Sequence, residues 1–526
     1  MALPETIYQL RTNARLSREK LAEILNVSHQ AVQKWENGTS APDIKNVIKI
    51  AKHFGVSLDA LLLDCDTRMA EERQSSREIR PKYANLHEWE DYSAQLRVEY
   101  EQSVEEGLDI ERYKDLFDAV SRMPAGSLRT RMADVIFDLV QQAGQRPGYG
   151  YTEPSDLEGI KALREPFDFR RQEPDEETLR RKIHGAWLGR ICGCLLGKTV
   201  EGIRTNELHP LLKETGNYPM HRYIRAAEIT DEMVQKYQYP LRTRCYADTV
   251  DCMPADDDTN YVVLAQEIVK KYGRDFTALD VSRAWMDCQP KNAYCTAERV
   301  AFCNFVKGYE PPESAVYKNP YREWIGAQIR GDYFGYINPG DPETAAEMAF
   351  RDASISHVKN GIYGEMWAAA MIACAAVTDD LEAIILGGLA QIPHTSRLYQ
   401  AVSDIVEDYR RGVSQADCFR KIHEAYDEYT AHGWCHTISN AMIVAAALLY
   451  GKGDYGASIC MAVETGFDTD CNGATVGSVL GMRGGVDIIG EEWSAPVRDR
   501  LETSIFGVGT VSISQRAEMT MKHLKR

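Results

Sequence analysis

Three stretches of this chain gather acids. Ala255-Asp256-Asp257-Asp258-Thr259 stands ahead of an amphipathic run, NYVVLAQEIVKKY. Phe467-Asp468-Thr469-Asp470-Cys471 stands ahead of a run of small residues, and Glu201 closes a glycine-rich segment in KTVEG. A carboxylate at a helix N-terminus is stabilised by capping and by the macrodipole. Capping accounts for one Asp of each group, but not for three adjacent Asp or two spaced by one residue. Brought together, these acids repel one another unless cations neutralise them. Oxygen donors of this kind suit Mg²⁺ or Mn²⁺. The candidate metal ligands are Asp256, Asp257, Asp258, Asp468 and Asp470. His432 and His436 have the i, i+4 spacing that zinc could use, yet no CxxC pair or Cys/His quartet accompanies them.

Positioning such acids falls to helices. In GAWLGRICGCLLG, glycine recurs at 185, 189, 193 and 197, and in NGATVGSVLG at 473, 477 and 481. Glycine inside a helix costs about 1 kcal/mol relative to alanine. A ridge of glycines is tolerable where another backbone packs closely against it, so the two ridges are expected to cross near the domain centre. Arg190 and the short length exclude a membrane span. From about residue 178 onward helical patterns dominate and alternating β-branched runs are rare, so the fold is expected to be all-α. The domains are read as 1–66, 67–177 and 178–526.

The head, 1–66, shows short helices. Ser17 and Ser28 occupy N-cap positions, Leu21, Ile24 and Leu25 form a stripe, Gly38 ends one helix, and Pro42-Asp43 and Ser57 start two more. The middle, 67–177, is polar and helical, with charge alternation in EERQSSREIR and a stripe of Met132, Val135, Ile136 and Leu139. It reads as a helical spacer that packs on a neighbour. Residues 145–166, rich in Pro, Gly and Tyr, read as an ordered loop.

The 526 residues are 44% hydrophobic and 26% charged, which excludes wholesale disorder and fibrous classes. Net charge is −17, while residues 1–66 are neutral, with eight basic and eight acidic residues, so the body carries the whole excess. The N-terminus lacks a signal-peptide core, and the longest apolar runs are too short to span a bilayer. With 13 cysteines and no disulfide pattern, a reduced cytoplasmic protein is expected.

Two resemblances sharpen these readings. LSREKLAEILNVSHQAVQKWENGTSAPDIKNVIKIAKHFGVSLDALL resembles the phage-repressor type of helix-turn-helix. The resemblance implies that helix 28–36 enters the DNA major groove, with His29, Gln30 and Gln33 at base edges and Lys34 at a phosphate. It also implies a homodimer. GAWLGRICGCLLGKTVEG, DDDT and GFDTDCNGATVGSVLG resemble the ADP-ribosylglycohydrolase family in the family's motif order, and WIGAQIRGDYFGYINPGDPETAAEMAFRDASISH resembles its glycine loop and the helices after it. This implies an all-α, two-metal hydrolase acting at the anomeric carbon of an ADP-ribosyl or related ribosyl group. Glu201 would serve as base or water orienter, with Asp257 and Asp470 sharing catalysis. Gly326, Ala327, Gln328 and Arg330 would cradle the distal phosphate, and His357 would lie near the ribose. Three positions depart from the family: Cys194 for Asp, Asp256 for Thr, and Cys471 for Thr. A thiol is a poor Mg²⁺ ligand. The departures leave open a nucleoside or nucleotide N-ribosidase. The head leaves open a regulator whose body only senses such a ligand.

Overall fold

A computed structural model describes residues 3–56, 58, 61 and 87–524. The chain forms two compact units, Met1–Asn85 and Leu86–Arg526. Both are helical. Among the described residues the only strands are Arg500–Leu501 and Val511–Ser512, paired antiparallel.

In the first unit, α1 (Leu3–Asn13), α2 (Arg18–Leu25), α3 (His29–Glu36) and α4 (Ile44–Phe54) enclose a small core that includes Ile7, Leu21, Leu25, Val32, Trp35 and Ile50. Local signals set the boundaries. Ser17, Ser28 and Asp43 accept hydrogen bonds from the backbone N–H groups of Lys20, Ala31 and Asn46. Asn26 takes the left-handed conformation that ends α2, and Gly38 does so just past α3. Glu36 is held by both Arg11 and Arg18, tying α3 to α1 and α2. Ile24 departs from the expected stripe. It is exposed, and Ala22 takes the inward position, because so short a helix packs on a face only as wide as its two neighbours. The helix expected from Ser57 and the charged stretch 71–80 fall outside the described residues.

The second unit begins with a helical segment. α5 (Leu96–Glu105), α6 (Lys114–Ser121) and α7 (Ser127–Gln142) share a core with Leu96, Phe117, Val120, Ile136 and Val140. On α7 the buried face is Ala133, Ile136 and Val140, whereas Val135 is exposed. The stripe is thus turned by about one residue from the pattern of large apolar side chains, because small Ala133 lets the neighbouring helices approach.

The organising pair of the main core is α8 (Glu176–Lys198) and α9 (Thr469–Gly484). They run antiparallel, glycine against glycine. A Cβ on Gly185, Gly189 or Gly193 would lie within about 2.5 Å of backbone at Gly481, Gly477 or Gly473, respectively. At the end of the ridge Gly197 meets Thr469 and Asp470 in the same way. No side chain fits between the two backbones, so the crossing is fixed to within the width of a methyl group. Among the described residues no helix is long and apolar enough to cross a membrane.

Candidate active site

The ridge delivers the C-terminal end of α8, with Cys194, Lys198 and Glu201, to the first turn of α9. The backbone before α9 is irregular: Gly466 and Phe467 both have positive φ, 80° and 59°. For a buried phenylalanine this is a strained conformation that only the surrounding structure can hold. It turns Asp468 and Asp470 toward the same region. The third acidic group enters at the start of the helix Asp257–Tyr272, where Asp256 is the N-cap and its Oδ1 accepts from the Asp258 N–H at 2.9 Å.

The five aspartates and Glu201 therefore converge, but they are not equivalent. Asp258 is fully buried. Its Oδ1 accepts from Arg190 Nη2 at 2.9 Å, while its Oδ2 makes no hydrogen bond. Asp256 presents its Oδ2 to Lys198 Nζ at 2.5 Å, so both of its oxygens are engaged by the protein. Asp470 Oδ1 accepts from the Cys471 N–H at 3.1 Å, and Asp468 Oδ2 accepts from the Cys435 thiol at 3.5 Å. Burial and mutual repulsion push the Asp257, Asp258 and Asp470 carboxyls well above the usual range. Burial, reinforced by Asp256 and Asp468, pushes Glu201 up to about 7. Asp256 moves the other way, because Lys198 outweighs its burial.

An orphaned buried oxygen among raised, mutually repelling carboxyls fits a bound cation. Asp257, Asp258, Asp468 and Asp470 have the donor chemistry to hold one, whereas Asp256 is already neutralised. Arg190 spans the site. It grips Asp258 and the Ile329 carbonyl, and its Nη1 binds Asp332 at 2.7 Å, so one guanidinium joins the acidic turn to the glycine loop.

That loop holds four of the other expected residues, and His357 follows the helix Pro342–Ala353. A Cβ on Gly326 would lie 2.0 Å from Glu298 Oε1, a carboxylate that Arg330 holds in place. Ala327 is fully buried. Gln328 is fully buried, and neither its Oε1 nor its Nε2 has a hydrogen-bond partner. His357 Nε2 is likewise unpartnered, with Nδ1 at 2.8 Å from Ser356 Oγ. Burial and the charge of Arg330 hold His357 well below its ordinary value, so its imidazole is neutral. Arg330 is different. Its guanidinium binds Asp352 at 2.5 Å, Glu298 at 2.8 Å and Ser356 at 3.1 Å, and Glu365 lies at 3.4 Å. Its fork is occupied by the protein, so it braces the loop rather than facing an open site.

His432 and His436 do not meet the acidic centre. Trp324 Nε1 donates to His432 Nδ1, and the Ile438 N–H donates to His436 Nδ1, each at 3.1 Å. Both Nδ1 atoms therefore accept, and both Nε2 atoms carry the hydrogen. These face Glu105 Oε2 at 2.9 and 3.1 Å. With no Nε2 lone pair to offer, the pair does not suit zinc. Glu105 comes from α5, and its neighbours dock similarly: Arg322 binds Glu99 and Glu106, at 2.9 and 2.6 Å, and Gln102 binds Glu323.

In the first unit His29, Gln30, Gln33 and Lys34 lie on one exposed face of α3, opposite buried Val32 and Trp35. Three residues of the main site escape a motif reading: Arg190, Lys198 and Asp332. Arg190 carries the one available signal, a charge placed inside a ridge otherwise built of small and apolar residues.

Fold and site together define an all-α protein with a carboxylate centre at a helix crossing, preceded by a helix-turn-helix unit. Residues 175–518 match the ADP-ribosylglycohydrolase family model, and residues 7–61 match a helix-turn-helix model. The chain belongs to the ADP-ribosylglycohydrolase family. Curated relatives match only the head. The HTH-type transcriptional activator BcrR of Enterococcus faecalis is 44% identical over 62 residues, covering 12% of this chain and 30% of that protein. The cryptic phage CTXphi transcriptional repressor RstR of Vibrio cholerae is 32% identical over 69 residues, covering 13% and 62%. The chain thus spans less than two thirds of the length of each. A solved structure titled ADP-ribosylglycohydrolase-related protein complex is similar at 16% identity and a TM-score of 0.38, covering 66% of this chain and 98% of that one.

Proposed function

We propose that this protein hydrolyses the glycosidic bond of an ADP-ribosyl or related ribosyl substrate at the carboxylate centre, and that its head binds DNA. The observation that carries the first part is the unpartnered, fully buried Asp258 Oδ2 amid converging carboxyls, with unpartnered Gln328 on the adjoining loop and unpartnered His357 Nε2 after the helix Pro342–Ala353. Divalent ions held by Asp257, Asp258, Asp468 and Asp470, magnesium or manganese being the hard-ligand choice, would orient the ribose hydroxyls and one water. Glu201 accepts the proton of that water as its oxygen bonds to the anomeric carbon and the bond to the leaving group breaks. Burial and the neighbouring carboxylates hold the Glu201 carboxyl at about 7, and cations on those neighbours would lower it toward the ionised, proton-accepting form. Gln328 and neutral His357 supply hydrogen bonds to the substrate.

One observation favours a second reading, a nucleoside or nucleotide N-ribosidase. Arg330 is occupied by Asp352 and Glu298, which removes the cation expected at a distal phosphate. A substrate panel separates the readings. Purified protein with divalent metal is offered ADP-ribosylated protein, ADP-ribose derivatives and nucleosides, and free ribosyl product is measured. Turnover of nucleosides alone selects the second reading. No turnover of any, with tight ribosyl-ligand binding, selects a sensor instead.

On the head, His29, Gln30 and Gln33 face base edges and Lys34 a phosphate, in a homodimer. This rests on their shared exposed face and on the named regulators that the head resembles. The free cysteines support a reducing, cytoplasmic setting.

A further inference from the structure

The carboxylate oxygens taken alone favour Mg²⁺ or Mn²⁺, and a sulfur atom in the same ligand set changes that choice. Among the described residues three groups of potential ligand atoms lie within 4.8 Å of one another: Glu105, His432 and His436, set aside above on their tautomers, and two at the acidic centre, Cys194, Asp256 and Asp258, and Asp258, Asp470 and Cys471. Every residue in the latter two is buried. The first of these two already has its cation, since the Lys198 ammonium sits 2.5 Å from Asp256 Oδ2. The second has only a share of one, the Arg190 guanidinium on Asp258. Arg190 takes only Asp258 Oδ1, and the Oδ2 left over has no partner. Cys471 supplies the third corner. Its backbone is fixed by the first turn of α9 and by the Asp470 Oδ1 that its N–H reaches. The glycine ridge, with Gly197 against Asp470, prevents that turn from sliding away.

We infer that one divalent ion is bound by Asp258 Oδ2, an Asp470 carboxylate oxygen and the Cys471 thiolate, and is therefore a sulfur-accepting ion such as Zn²⁺, Co²⁺ or Fe²⁺ rather than Mg²⁺. This rests on the metal reading of the site. Mg²⁺ demands an octahedral set of oxygens and gains little from sulfur. Zn²⁺ and its neighbours accept mixed thiolate and carboxylate sets at low coordination number. Binding replaces the S–H bond of Cys471 with a metal–sulfur bond and releases that proton to solvent.

Cobalt tests this on the full chain. Chelator-treated protein is titrated anaerobically with Co²⁺, and bound cobalt is measured by equilibrium dialysis beside the near-ultraviolet spectrum. The wild type should bind cobalt with a sulfur-to-cobalt charge-transfer band. About a hundredfold excess of Mg²⁺ should leave that band in place. Cys471→Ser and Cys471→Thr should both lose the band, while Cys194→Ser keeps it, with melting curves confirming that each variant is folded. Two separate variants at 471 guard against one failing to fold. Bound cobalt without a band, or a band that survives both replacements of Cys471, overturns the inference and leaves an oxygen-only metal site standing. Absence of any bound cobalt, Mg²⁺ or Mn²⁺ overturns the metal reading together with it.

Discussion

The antiparallel glycine ridge makes a quantitative demand that one methyl group can test. In Gly193→Ala the new Cβ would lie 2.0 Å from the Gly473 carbonyl oxygen and 2.6 Å from its carbonyl carbon. The obstruction is backbone, so no rotamer change relieves it. Reaching ordinary contact near 3.5 Å means that α8 and α9 separate by about 1.5 Å. Overpacking of a close-packed core costs about 3 kcal/mol at the upper end of the usual range. Alanine's better helix propensity offsets about 1 kcal/mol of this. The net expectation is a loss of about 2 kcal/mol. The same separation displaces Lys198 and Glu201 from Asp468 and Asp470, so the protein should also lose its stabilisation by divalent metal. Thermal unfolding followed by circular dichroism, with metal and with chelator, reads both effects. Gly144→Ala is the control. Nothing lies within 4 Å of its Cβ, and a change within about 0.5 kcal/mol is expected. If Gly193→Ala melts like Gly144→Ala and keeps its metal response, the ridge neither limits packing nor positions the site.

Three further outcomes are expected. Divalent metal at a hundredfold excess over Kd should stabilise the wild type by about 2.7 kcal/mol; Asp470→Asn should lose most of that rise, and the hydrolysis with it, while still folding. A wild-type melting curve indifferent to metal and chelator would count against the whole centre. Replacing Gln30 and Gln33 with alanine should abolish sequence preference in a gel-shift titration and leave substrate turnover unchanged; retained specificity would remove α3 from the DNA contact. Burial alone would raise the Glu323 carboxyl, but Arg397 and its other partners outweigh it and hold the group at about 2. A depressed carboxyl contributes stability above its unfolded value, about 4.3, and loses it as pH falls toward 2. That contribution is about 3 kcal/mol for the shift involved. The difference in melting temperature between wild type and Glu323→Gln should therefore shrink between those pH values; a constant difference would show that Glu323 is not held ionised.

The sequence was most legible where one local rule dominates. Ser17, Ser28 and Asp43 cap the helices they precede, and the glycine spacing of four foretells the crossing of α8 and α9. The acids of the two Asp-rich segments converge as their helix-start positions allow. What stayed hidden is pairing across long separations. Nothing local marks Lys198 as the partner of Asp256, and nothing in the glycine loop shows that Arg330 faces inward to Asp352 and Glu298 rather than outward to a ligand. Periodicity also misjudged faces. Ile24 and Val135 are large and apolar yet exposed, while small Ala22 and Ala133 are buried in their place. The spacing of His432 and His436 suggested a metal, but two backbone and indole donors decide their tautomers.

The docking of α5 changes what counts as a transferable piece of this protein. The family match begins at 175, yet Arg322 and Glu323, next to the glycine loop, find partners in Glu99, Glu106 and Gln102, and the His432–His436 pair closes on Glu105. A body severed at 175 would keep its motifs and lose the counter-charges that hold them, and a buried cation stripped of its acid costs about 3–5 kcal/mol. A head can therefore be exchanged without cost to the body only at a joint upstream of Leu96, well before the family match begins at 175, so that α5 stays with the fold it braces.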